Sequence, residues 1–168
     1  MNRVHGVKYA TVNVVFRDVG GFRELLFIKR RVNPFDPWSG DVGFPGGGSK
    51  GSEDPVETAL RETWEEVGIH PSLLEVLGVY GFEKTLIIPS LRIAIVLSKL
   101  RVNNIKLNPA WDEVSEVFWT RLNDIVGPIR IFHPFKGVIV EAYIAGRYII
   151  WGFTKRVLRK ILPILKQL

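Results

Sequence analysis

The stretch GFPGGGSKGSEDP, residues 43–55, holds five glycines and two prolines. Glycine disfavours regular structure entropically and proline removes a backbone donor, so the run predicts a tight loop. It feeds RETWEEVGI, residues 61–69, where Arg61 and three glutamates, Glu62, Glu65 and Glu66, fall within six positions. Asp54 and Pro55 stand where an N-cap and first helical residue belong, and Glu57 follows three past the cap as in a capping box. Gly68 closes the helix as a left-handed C′ residue. A loop locked directly to an acidic helix is the unit around which the rest must fold.

Residues 9–17 and 24–29 alternate as β-strands across a Gly20-Gly21 turn, which predicts a hairpin. Further β-rich runs cover 74–80, 91–98 and 114–119, with 137–143 and 148–151 as two more. Residues 153–166 carry helical spacing, with Pro163 expected to kink or end the helix. Strands with an internal and a terminal helix predict an α/β domain, a mixed sheet covered on both faces.

The chain has 168 residues, 46% of them hydrophobic, which fits one domain over 1–168 with a full core. No apolar run approaches the roughly 20 residues of a membrane span, and the start alternates like a strand where a secretory signal would carry one apolar block. A cytoplasmic protein is expected. Without cysteine there is no disulfide, thiolate metal site or cysteine nucleophile. The net charge of +6 favours anionic partners.

On a helical wheel at about 100° per residue, Glu62, Glu65 and Glu66 share one side. Val56, Leu60, Thr63, Trp64 and Val67 gather opposite, so the helix is expected to bury Trp64 and present its acids to solvent. Carboxylates at i, i+3 and i+4 repel one another, so a cation should compensate. Arg61 is one candidate and a divalent metal ion the stronger one.

The spacing from Gly47 through Glu53, Arg61-Glu62 and Glu65-Glu66 to Gly68-Ile69 resembles the Nudix box, G-x5-E-x7-R-E-U-x-E-E-x-G-U, with U apolar. Thr63 at an apolar position is the one departure. The resemblance implies a Nudix-type α/β/α sandwich with a central mixed sheet, and an enzyme that cleaves a diphosphate linked to another moiety. It implies Mg²⁺ or Mn²⁺ held mainly by Glu62 and Glu66, with Glu65 assisting and the carbonyl of Gly46 completing the set. Mg²⁺ is a hard cation, usually bound by one or two carboxylates plus phosphate oxygens, which suits a shallow acidic face. Glu53 and Arg61 resemble the family's orienting pair, in which arginine fixes neighbouring carboxylates. Gly47 and Gly48 would let a phosphate approach the backbone closely.

The family takes its general base from different places. Here Glu113 is the candidate and Glu116 the second, from NPAWDEVSEVFWTRLNDI at 108–125. Three segments resemble the coenzyme A pyrophosphatase subgroup: RRVNPFDPWSGDVGFPGG, DEVSEVFWTRLNDI and IIWGFTKRVLRKIL. The likeness implies hydrolysis of coenzyme A or an acyl-coenzyme A to adenosine 3',5'-bisphosphate and a phosphopantetheine, with Arg31 binding a substrate phosphate. Lys29, Val32 and Asp36 depart from that subgroup's threonine, small residue and second arginine. The alternatives are an ADP-ribose or nucleoside-diphosphate-sugar pyrophosphatase, or a non-enzymatic nucleotide-binding regulator.

The expected partner is a small nucleotide, with no nucleic acid and no membrane span, and a homodimer left open. His5, His70 and His133 are expected in surface or hydrogen-bonding roles. Trp38, Trp111 and Trp151 are expected to pack in the core or at its rim. The basic terminal helix should dock its apolar side and leave Lys155, Arg156, Arg159 and Lys160 solvated.

Overall fold

The computed structural model of the protein describes residues 9–168; the expectation for His5 lies outside them. The described residues begin with a hairpin of β1 (Ala10–Val19) and β2 (Phe22–Arg30), Phe16 facing Leu25 across it. Two short strands follow, β3 (Val42–Gly43) and β4 (Gly46–Gly48). The glycine stretch is therefore not all loop: its centre pairs antiparallel with β1, Val12 opposite Gly46 and Ala10 opposite Gly48. Sequence alone misses this because the pairing comes from a partner more than thirty residues away.

Helix α1 (Pro55–Val67) carries the expected capping box, with Asp54 accepting from Val56 N and Glu57 N and the Glu57 side chain accepting from Asp54 N. It ends on Gly68 at φ 77°. A side chain there would also collide with the Asn108 backbone N at 2.9 Å, so glycine serves both the turn and the close approach.

After α1 come β5 (Leu74–Lys84), β6 (Arg92–Leu100) and β7 (Val114–Arg121). β1 lies parallel to β6 and antiparallel to β2, so the seven-stranded sheet is mixed, ordered β3-β2-β1-β6-β5 with β4 on β1 and β7 on β2. A second, three-stranded sheet joins β8 (Ile125–His133), β9 (Val138–Ala145) and β10 (Tyr148–Ile150). β8 escaped the sequence reading because Gly127 and Pro128 interrupt its pattern. Helix α2 (Gly152–Leu165) closes the chain and runs through Pro163, which therefore does not end it.

Alternation along β1 and β2 sends side chains to two cores. Val14, Phe16, Leu25 and Phe27 pack with Val157, Leu158 and Ile161 of α2 and with Tyr143 and Ile150 of the second sheet. Val15, Leu26 and Ile28 pack on the other side with Val67 and Ile69 at the end of α1. α2 docks by its apolar side as expected, but its cations are not merely solvated: Lys155 pairs with Glu141, and Arg156 and Lys160 with Glu83. Among the described residues no helix is long and apolar enough to cross a membrane.

Candidate active site

Helix α1 presents only part of its acidic side to solvent: Glu65 is exposed, Glu62 is partly buried and Glu66 is buried. Its buried residues are Thr58, Ala59, Thr63, Glu66 and Val67, an arc that keeps Thr63 and Val67 from the expected side but is turned toward Glu66 and away from Trp64. Glu66 is 3% exposed and Trp64 is 52% exposed, the reverse of the wheel reading. Helical periodicity assigns the apolar side to the core, whereas the helix lies over a stretch of sheet whose own side chains, Thr11 and Asn13, are polar. Trp64 instead meets the ring of His70 edge-on at 5.2 Å.

The carboxylate of Glu66 accepts the N–H of Gly46 at 2.8 Å. Burial pushes this carboxyl up to about 8; the Gly46 N–H and Arg30 oppose the rise, and Glu62 and Glu113 add to it. Burial likewise raises Glu62, against the pull of Arg61. A Cβ on Gly47 would come within 2.5 Å of the Glu62 carboxyl carbon, so only glycine lets the strand lie against this group.

Arg61 organises the acids around it. Its Nε and Nη2 bond the two oxygens of Glu53 at 2.6 and 3.0 Å, its Nη1 reaches Glu62 at 2.6 Å and Glu65 at 3.1 Å, and Nη2 also donates to the Gly48 carbonyl. Hydrogen bonding from Arg61 holds Glu53 ionised, its carboxyl lowered to about 2, helped by Lys50 N and the Thr58 hydroxyl. Such a bidentate fork fixes rotamers better than a point charge would. Glu65 turns outward to Lys50 Nζ at 3.2 Å.

The segment 108–113 completes the end of the helix. Asn108 N and Ala110 N donate to the carbonyls of Val67 and Glu66 at 3.0 Å each, groups that α1 itself cannot satisfy. Glu113 N then donates to Ala110 O, and Glu113 O accepts from Arg31 N. These bonds bring exposed Glu113 beside Glu66, close enough for its charge to raise that carboxyl. Glu116 is placed differently. Lys29, Arg147 and Tyr148 surround its carboxylate, and with the Tyr148 bond foremost they hold it at about 2. A carboxylate so stabilised is a poor proton acceptor.

Arg31 is exposed and donates to the Trp111 carbonyl. Its neighbour Arg30 bonds Asp36 at 2.8 Å, and Asp36 also accepts from Trp38 N. The aspartate that replaces the subgroup's arginine thus shapes the loop before β3. Trp151 bonds Asp41 at 3.0 Å and Trp111 is 56% exposed, so Trp111 belongs to neither core. His70 caps the turn at Pro71–Leu73. His133 departs from its expected surface role, being buried against Trp151 with Nδ1 unpartnered.

Among the described residues no three carboxylate or imidazole groups converge as a ready metal cage. The donor set still fits a hard divalent ion: partly buried Glu62 and buried Glu66 are carboxyls raised by desolvation, and one or two carboxylates are what Mg²⁺ usually takes from a protein. Lys50, Arg30 and Asn13 also shape the site although the motif pattern does not single them out. Lys50 and Arg30 were visible as cations beside it, whereas Asn13 left no signal.

The NUDIX domain model matches residues 7–143. The mitochondrial coenzyme A diphosphatase NUDT8 of Mus musculus is 30% identical over 148 residues, covering 81% of this chain and 68% of its own length. The uncharacterized Nudix hydrolase NudL of Pectobacterium atrosepticum is 29% identical, covering 81% and 72%. Among solved structures, the Nudix hydrolase RenU of M. smegmatis superposes with a TM-score of 0.63 at 15% identity, covering 95% of this chain and 85% of that one, a likeness of fold alone. The chain belongs to the Nudix family and is a hydrolase of diphosphate anhydrides.

Proposed function

We propose that the protein is a divalent-metal-dependent hydrolase of coenzyme A or an acyl-coenzyme A, cutting the diphosphate to give adenosine 3',5'-bisphosphate and the phosphopantetheine product. The observation that carries the chemistry is the pair of carboxylates, partly buried Glu62 and buried Glu66, beside a glycine strand with no room for a Cβ at Gly46 or Gly47. The mouse coenzyme A diphosphatase, similar over most of the chain, supports the substrate class.

On this reading Glu62 and Glu66 hold Mg²⁺ or Mn²⁺, with Glu65 and the Gly46 carbonyl able to join the set. The ion supplies charge neutralisation for the diphosphate oxygens. Arg61 and Glu53 keep the Glu62 carboxylate in one orientation through the bonds described above. Glu113 takes the proton of the attacking water, since it is exposed and free of the ion pairs that hold Glu116. Gly47 and Gly48 let the substrate's phosphates approach the backbone, and Arg31 meets the 3′-phosphate that distinguishes coenzyme A from ADP-ribose. A single domain over 1–168 carries all of these groups.

A product screen with Mg²⁺ against coenzyme A, ADP-ribose and nucleoside triphosphates tests the proposal. Preferential release of adenosine 3',5'-bisphosphate is expected. Preference for ADP-ribose would discard the substrate assignment and leave the family chemistry standing.

A further inference from the structure

Asn13 lies at the middle of β1, fully buried under α1. Its backbone N–H donates to the carbonyl of Pro45 at 2.8 Å, and its side-chain Nδ2 donates to the hydroxyl of Thr63 at 2.9 Å. One residue therefore grips both halves of the site, the strand that begins at Gly46 and the helix that carries Glu62 and Glu66. We propose that Asn13 is a positioning residue that sets the offset between that strand and that helix. The proposal rests on the reading of Glu62 and Glu66 as a divalent-cation site.

The hydrogen bonds have only one consistent direction. Thr63 gives its single hydroxyl proton to the Ala59 carbonyl at 2.7 Å, so towards Asn13 it can only accept. That requirement turns the amide nitrogen of Asn13 to the helix and its oxygen to β6, where Ser98 Oγ donates at 2.8 Å. The chain runs from Ser98 through Asn13 and Thr63 to Ala59, and Asn13, Thr63 and Ser98 are all 0% exposed. Any rotation of α1 that breaks it strands a buried donor with no water to replace the partner. Apolar packing would tolerate such a rotation more readily, because it is not directional.

The contacts that shape the site depend on the same offset. The Gly46 N–H meets Glu66 at 2.8 Å, and Glu62 rests on Gly47 where a single Cβ would collide. A small shift of helix against strand would lose the first contact or close the second. Thr63 stands where the box pattern has an apolar residue, so in this chain a directional polar link occupies the place of packing.

The test measures Mn²⁺ affinity by electron paramagnetic resonance, together with Tm and kcat. Asn13→Val and Thr63→Val should each lower Tm and weaken Mn²⁺ binding about tenfold or more, the scale of losing support behind a metal ligand. A triple variant, Asn13→Val with Thr63→Val and Ser98→Ala, removes all the side-chain partners together, the Ala59 carbonyl keeping its place in the helix, and should recover most of the Tm while Mn²⁺ affinity and kcat stay low. Leu158→Ala, in the core on the other side of the sheet, should lower Tm and leave Mn²⁺ affinity unchanged. A triple variant that binds Mn²⁺ within about twofold of wild type overturns the positioning role. So does a Leu158→Ala variant whose Mn²⁺ binding weakens as much as that of Asn13→Val at a similar loss of Tm. Wild-type protein that binds no Mn²⁺ overturns the cation-site reading itself.

Discussion

The two faces of the seven-stranded sheet use the same strands for opposite chemistry. Towards α2, β1 and β2 present Val14, Phe16, Leu25 and Phe27, and the ring of Phe27 stacks on Phe44 at 5.0 Å and on Phe118 at 5.6 Å. Towards α1 the alternate positions of β1 are Thr11, Asn13 and Val15, and the helix above them buries Thr58, Thr63 and Glu66. Apolar burial on the first face stabilises the fold by about 1.5–3 kcal/mol for each large side chain. The second face has to satisfy each buried polar atom or lose free energy. Thr11 Oγ1 has no partner there. Both faces hold an apolar core, but the α1 side also keeps an unevenly compensated polar layer at Thr11, Asn13, Thr63 and Glu66, as functional sites commonly do.

That division can be broken experimentally. The largest effect is expected from Leu158→Ala, which hollows the apolar face and should cost about 2–5 kcal/mol of stability with kcat unchanged, measured by denaturant unfolding beside a steady-state assay. A parallel loss of kcat would mean that the two faces are not independent. Glu66→Gln should do the opposite. Replacing a carboxyl raised to about 8 with a neutral amide should leave the metal-free Tm about equal below the usual carboxylate range and higher as pH rises to about 8 and above, while turnover falls roughly 10²-fold or more, as for loss of a key electrostatic group. Near-normal turnover of the folded variant at saturating Mg²⁺ would remove Glu66 from the chemistry.

Arg31→Ala sharpens the comparison at the rim of the polar face. A charged hydrogen bond to the 3′-phosphate predicts a roughly tenfold rise in KM for coenzyme A with a smaller rise for dephospho-coenzyme A. Equal losses on both would show that Arg31 acts through its bond to the Trp111 carbonyl instead. The smallest effect belongs to Trp64→Ala. Because Trp64 is half-exposed, it should cost under about 1 kcal/mol, and a cost near 3 to 5 kcal/mol would restore it to the buried arc.

Several local features were legible from the chain alone because their causes are local. The Asp54 and Glu57 capping box and the Gly68 terminus require only neighbours in sequence. The β1–β2 hairpin, the α/β class and the spacing of Glu53, Arg61, Glu62, Glu65 and Glu66 could be read in the same way. Tertiary structure decided what those residues face. Helical periodicity states which side chains share a side, but the polar positions of β1 determine which side is buried, and so Glu66 went in and Trp64 out. β4 and β8 likewise formed because partner strands accepted their hydrogen bonds, against the tendency of their glycines and proline. The link from Asn13 to Thr63 joins residues fifty positions apart. Each residue alone is an ordinary polar side chain, and only their burial at the crossing of β1 and α1 makes the pairing obligatory.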